Sequence, residues 1–317
     1  MAIIRTVLGD IAPTALGPTL AHEHCFCAWL GWDVDPLAHF DREAMLDVVV
    51  KDLTAARRDY GVAAVVDATM PDLGRDVDFI ADCSRASGMH IVAASGFYKG
   101  TMGITRYWQD RDLDEIEDWL AQEITVGVGP NGVRCGVLKV ATDGGGISAH
   151  EEKCLRAAAR ASRRTGAAII SHTDPEGWAV TNIGAKHLDV LLSEGADPER
   201  CIISHSCGAK RLDQLLEVAR RGAQLGFDRI GSTLIGPDDD RADLLAGVVA
   251  AGYGDRVQLG HDWVVFWKGR EPRQPRPVVK DFSLIHREFL PRLRQRGVSE
   301  RAIEAMLVDN PQRVFAF

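Results

Sequence analysis

No apolar run in the 317-residue sequence approaches 18 residues, so a membrane-spanning helix is excluded. It also lacks a basic block. With a net charge of −8, the chain is poorly suited to a nucleic acid or an anionic membrane surface. The densest basic stretch, Lys268 to Arg276, contains two prolines and one acid and reads as a mobile loop. The seven cysteines are odd in number, scattered, and never spaced as CxxC. That argues against a disulfide framework and for reduced thiols, as in the cytoplasm. The opening MAIIRTVLGDIAP is too short and too polar to read as a signal peptide. No low-complexity linker divides the chain, so residues 1–317 read as a single domain with ample apolar content, 46%, for a large core.

What the sequence does contain is a series of short Val/Ile/Leu/Ala runs at strand length. Eight candidates lie around Thr19–His22, Ala63–Asp67, Ile91–Ser95, Gly136–Val140, Ala168–Ser171, Cys201–Ser204, Ala223–Gly226 and Val257–Gly260. Between them are amphipathic stretches. Two of these, DREAMLDVVVKDLTAARRDYG and EEKCLRAAARASRRTG, end on a glycine able to cap a helix. Eight strands alternating with helices imply parallel pairing and closure into an α/β barrel, the (β/α)8 TIM barrel, with its site at the C-terminal strand ends. An open doubly wound sheet would struggle to bring distant strand ends to one point. Residues 1–18 read as a short hairpin covering the barrel's bottom or side.

The strand ends carry the chemistry. His22 and His24 flank Glu23 at the first, Lys139 lies in GVLKVATD, His172 in AIISHTD, His205 in CIISHS and Asp262 in VQLGHD. Lys139 to His172 and His172 to His205 are each 33 residues, about one strand–helix unit, and His205 to Asp262 is 57, room for two. In a strand, residues i and i+2 share a side, so His22 and His24 can grip one ion while Glu23 faces away. Neutral imidazoles with a carboxylate suit a divalent metal: zinc first, with Co, Mn, Fe or Ni as alternatives. A plain ammonium on Lys139 would repel such ions. Carboxylated by carbon dioxide, the lysine becomes an anion able to bridge two of them, about 3.5–4 Å apart. Asp262 can both ligate and accept a proton.

In order and content these motifs resemble the phosphotriesterase family of the amidohydrolase superfamily. The likeness runs through GPTLAHEH, LKVATD, ISHT, ISH, LGFDRIG, LGHD and the terminal DNPQRVF. It implies that His22, His24 and Asp262 hold the more buried ion and His172 and His205 the more exposed one, with carboxylated Lys139 shared. It implies hydrolysis by a metal-bridging hydroxide, on an ester or lactone, with promiscuous phosphotriesterase activity, and a homodimer acting on a small molecule. Tyr98 in SGFYKG and Arg229 in GFDRIG match pocket residues of the lactonase branch. Taken without the resemblance, Tyr98 reads as loop packing and Arg229 as a surface ion pair. The segment 263–281 is long enough for a lid, and Trp263, Phe266 and Trp267 could line an apolar cleft. One departure stands out. The family usually has an aspartate three residues after the strand-six histidine, where this chain has Gly208. Cys207 beside it reads as a stray thiol rather than a ligand. The same centre could serve an amide, carbamate or phosphodiester hydrolase, or survive in a binding protein without turnover.

Overall fold

A computed structural model describes residues 2–269 and 281–317. Two short strands, β1 (Ile4–Thr6) and β2 (Gly9–Ile11), pair antiparallel at the start. Eight parallel strands follow in chain order: β3 (Thr19–Glu23), β4 (Ala64–Asp67), β5 (His90–Gly96), β6 (Val137–Ala141), β7 (Ala168–His172), β8 (Cys201–Ser204), β9 (Gln224–Phe227) and β10 (Val257–Leu259). Each of these strands is hydrogen-bonded to the next in sequence, and helices fill the connections: the (β/α)8 barrel expected from the alternation. The seam between β10 and β3 is closed just beyond the strands. Asp262 N donates to His22 O at 3.0 Å, His24 N to Trp263 O at 2.8 Å, and Lys268 N to Cys27 O at 2.8 Å.

Alternation along the strands sorts side chains into two cores. Ala64, Val66, Val92, Ala94, Val137, Ala168, Ile170 and Ile202 fill the barrel, plugged from below by Ile4, Leu16 and Phe315. Val65, Ile91, Leu138, Ile169, Ile203 and Leu225 pack outward against the helices. Lys139 follows Val137 by two residues and His172 follows Ile170 by two, so the same pleat points both into the lumen. On β3 the register shifts between Leu20 and Glu23, an irregularity that lets His22 turn inward although Ala21 already does. Gly96 is required where β5 meets β6, since a Cβ there would lie 1.7 Å from Lys139 O.

Both glycine-terminated stretches form the expected helices. Arg42–Tyr60 is capped by the Asp41 carboxylate and by left-handed Gly61, and Ala149–Thr165 by a Ser148/Glu151 capping box and left-handed Gly166. No helix among the described residues is long and apolar enough to cross a membrane. Most of the segment expected to form a lid, 270–280, lies outside the described residues. Its two flanks are tied to the same side chain: Asp52 accepts from the Trp263 indole at 3.1 Å and from Phe282 N at 3.2 Å. Lys268, expected at the start of a mobile basic loop, is instead buried.

Candidate metal centre

Four histidines, one lysine and one carboxylate converge at the C-terminal mouth of the lumen. His24 Nε2 lies 3.1 Å and His22 Nε2 3.4 Å from Asp262 Oδ1, and His205 Nε2 lies 3.9 Å from Asp262 Oδ2. Lys139 Nζ is 3.0 Å from His22 Nε2, and His172 Nδ1 is 2.9 Å from His205 Nε2. One ligand atom each from His22, His205 and Asp262 lies within 4.8 Å of the others. His205 and Asp262 hold φ at 62° and 56°, in the left-handed region that side chains rarely adopt. Such strain, of order 1–3 kcal/mol per residue, persists where the surroundings over-determine the backbone.

Neighbouring groups fix the tautomers. The Asp228 carboxylate, which can only accept, lies 2.8 Å from His22 Nδ1 and 2.8 Å from His205 Nδ1, so both rings carry the proton there. Thr69 donates its hydroxyl proton to Phe26 O at 3.2 Å and therefore accepts from His24 Nδ1 at 2.8 Å. In His22 and His205 this leaves Nε2 as a lone pair facing the lumen, whereas His24 Nε2, 3.1 Å from the carboxylate oxygen Asp262 Oδ1, carries a proton and donates it there. His172 Nε2 is buried without a hydrogen-bond partner among the described residues.

Charge states agree with this arrangement. Burial, with the charge on Arg229 next, holds His205 down at about 3. Burial and then His205 hold His172 well below its ordinary value. Burial alone would raise the Asp262 carboxyl, but His205, the His24 hydrogen bond, His22 and Arg229 pull it well below the usual range. Burial lowers Lys139 to about 8, against the opposing pull of Asp262 and Asp228. His24 differs: burial would lower it, but Cys27 and Asp262 raise it well above its ordinary value, so a metal binding there would displace a proton. The neutral imidazoles of His172 and His205, the ionised carboxylates and the depressed amine suit divalent cations as they stand.

A sequence profile of the Phosphotriesterase family matches residues 2–315. The chain belongs to the phosphotriesterase family. It is thereby a hydrolase, of a family whose members depend on metal. It is 30% identical to an aryldialkylphosphatase of Saccharolobus solfataricus over 307 residues, 95% of each chain. An organophosphorus hydrolase from Deinococcus radiodurans superposes with a TM-score of 0.92 at 36% identity, covering 99% of this chain and 96% of that one. A mutant phosphotriesterase-like lactonase of the same organism gives 0.91 at 36%, over 98% and 99%.

The further residues named from the sequence fall around this centre in different ways. Arg229, which alone read as a surface ion pair, is half-buried and sets Nε 3.1 Å from Asp262 Oδ2. The Tyr98 ring meets His172 edge-on at 5.4 Å, and its backbone N–H donates to Asp72 Oδ2 at 2.7 Å. Of the three aromatics offered as cleft lining, only Trp267 packs with Tyr98, in a cluster with Cys27, Met70 and Leu73. Phe266 is instead core, stacked between Phe26 and Phe40, and Trp263 turns toward Asp52. At Gly208 a Cβ would meet Pro175 Cβ at 3.3 Å, so any side chain there requires Pro175 to give way.

Asp228 escaped the sequence reading. It takes four hydrogen bonds, from His22 Nδ1, His205 Nδ1, His205 N at 2.7 Å and Ser204 Oγ at 2.6 Å. Its position, one residue past β9, is the strand-end signal that identified the others. Because a single carboxylate orients both His22 and His205, Asp228→Ala should weaken metal binding roughly 10–100-fold. Titration calorimetry of the metal-free protein measures this. Unchanged isotherms would show that the two rings hold their orientation unaided.

Proposed function

We propose that this protein hydrolyses esters or lactones with two divalent metal ions, and turns over organophosphate triesters as secondary substrates. The observation that carries the reading is the confinement of Lys139, an amine lowered to about 8 by burial, among lone-pair nitrogens and beside Asp262. An uncharged amine reacts with carbon dioxide: a nitrogen–carbon bond forms, one proton leaves to solvent, and a carboxylate results. In this reading His22, His24 and Asp262 hold one ion, His172 and His205 the other, and carboxylated Lys139 is shared. Zinc suits the nitrogen-rich set, with Co, Mn, Fe or Ni alternatives. When bound, the ions would supply an activated water and Lewis acidity toward the substrate's carbonyl or phosphoryl oxygen.

The chain's own groups do the rest. Asp262 receives the proton of the attacking water, and Arg229, 3.1 Å from Oδ2, keeps that carboxylate ionised and oriented. Tyr98, at the edge of His172, orients the substrate oxygen. Support for the substrate class comes from the relatives, an aryldialkylphosphatase and a phosphotriesterase-like lactonase. Seven free, buried cysteines support the cytoplasm, and the acidic net charge supports a small-molecule rather than nucleic-acid partner. The family resemblance supports a homodimer.

The test is a turnover screen of metal-reconstituted protein on lactones, aryl esters, carbamates and aryl phosphotriesters, repeated with Tyr98→Phe. Lactone turnover should exceed the others and should suffer more than phosphotriester turnover in Tyr98→Phe. Absence of lactone and ester hydrolysis, with carbamate turnover present, would transfer the centre to amide-type chemistry.

A further inference from the structure

Lys268 lies in the chain just beyond the closing seam and is only 6% exposed. Its ammonium donates to Asp76 Oδ2 at 3.2 Å. Four aromatic rings also surround the ammonium. Nζ stands 4.2 Å from the ring centroid of Phe26, 4.5 Å from Phe40, 5.5 Å from Trp32 and 5.8 Å from Phe79. Three of those rings come from the connection after β3 and the fourth from the helix Val77–Ser87. A lysine withdrawn from water loses hydration that one half-exposed carboxylate does not restore. The ring faces supply the remainder. A leucine or methionine would fill the space without that desolvation, so packing alone does not account for a cation here.

The caged residue is joined directly to the pocket. Cys27 N donates to Phe266 O at 3.1 Å and Lys268 N to Cys27 O at 2.8 Å, which locks Trp267 opposite Cys27. Trp267 stacks on Trp29 with centroids 4.9 Å apart and planes at 28°. That pair packs against the cluster of Cys27, Met70 and Leu73 that also takes Tyr98 and Val264. Tyr98 in turn meets His172. The link from Lys268 to the metal side is therefore made by the backbone to Trp267, and from there by the stacked indoles and their cluster to Tyr98 and His172.

We propose that Lys268 is a positioning residue that sets substrate specificity: its caged ammonium fixes the Trp29–Trp267 pair as the wall receiving the apolar end of the substrate. The inference rests on the ester or lactone reading of the centre. The cage meets the ligand set through Phe26, whose backbone carbonyl, not its ring, accepts the Thr69 hydroxyl beside His24, so removing the charge acts on the ring packing and leaves that hydrogen bond available.

The experiment compares wild type, Lys268→Met and Lys268→Arg, each metal-loaded. In Lys268→Met, KM for γ-nonalactone should rise about tenfold, the scale of one desolvated cation–π contact. Its kcat, and both constants for γ-butyrolactone, should stay near wild type. Lys268→Arg should restore the long-chain KM. Circular dichroism supplies a readout independent of turnover. The exciton couplet of the stacked indoles, identified by its loss in Trp267→Phe, should disappear in Lys268→Met and persist in Lys268→Arg. Equal KM changes for both lactones, or an unchanged couplet in Lys268→Met, would overturn the proposal and leave the lysine a plain anchor. If wild type hydrolyses neither lactone, the lactonase reading fails. The couplet, and the Kd of γ-nonalactone from tryptophan quenching, then decide the role of Lys268 on their own.

Discussion

Lys139→Ala should lose one of two bound ions and bring turnover below about one hundredth of wild type, the scale on which a single preorganised catalytic contact is missed. Lys139 enters the lumen from the middle of β6, 1% exposed, and its amine touches His22 Nε2, a lone pair by virtue of Asp228. A permanent ammonium in that position would oppose every cation the histidines attract. The alanine removes both the amine and the carboxylate it can become, leaving a space lined by His22 and Asp262. Acetate or propionate added to the mutant should enter that space and restore part of the second ion and part of the rate. Elemental analysis gives the stoichiometry, and the acid titration gives the rescue. The outcome that would sink the assignment is a wild-type crystal structure with both ions present and density for residue 139 ending at the amine. An alanine variant that binds two ions and turns over normally would be equally decisive.

The barrel was legible because its determinants are local and repeated. Each strand is a short β-branched or aliphatic run buried on both sides, and the observed bounds differ from those expected by a residue at most places: Ala64 rather than Ala63, Gly96 rather than Ser95. His22, His24, Lys139, His172, His205 and Asp262 were legible for a related reason. Polar residues at the ends of buried strands have few uses other than a common site. Less visible was the orientation given to each ring by a partner far away in sequence. Asp228 reaches His22 across 206 positions and Thr69 reaches His24 across 45. Nothing in either local segment announces the hydrogen bond. The Lys268 cage failed to show for the opposite reason. A lysine followed by arginines and prolines carries every mark of a solvated loop, and only the convergence of Phe26, Trp32, Phe40 and Phe79 makes it an interior cation. Phe266 and Trp263 were misjudged because both turn into the outer core between barrel and helices, a choice that hydrophobicity alone does not make.

Asp262→Asn should retain most metal affinity while its kcat falls by roughly 10²–10⁴, the usual worth of a positioned general base. The asparagine keeps one oxygen for the place Oδ1 now occupies, 3.1 Å from His24 Nε2 and 3.4 Å from His22 Nε2. What it cannot do is take a proton. It also places an amide N–H₂ where Oδ2 now faces Arg229 Nε at 3.1 Å, setting donor against donor. Part of any loss could therefore come from a displaced side chain, and Arg229→Gln separates the two effects. In Arg229→Gln, Asp262 remains an ionisable carboxylate and loses a single partner, so the fall in kcat should be smaller than in Asp262→Asn. The pH profile discriminates further. Wild type and Arg229→Gln should each show an acid limb where a carboxylate must ionise, with the limb displaced to higher pH in Arg229→Gln because the neighbouring cation is gone. In Asp262→Asn that limb should vanish. Near-normal turnover by metal-loaded Asp262→Asn, or an acid limb that survives the substitution unmoved, would assign the proton acceptor to another group.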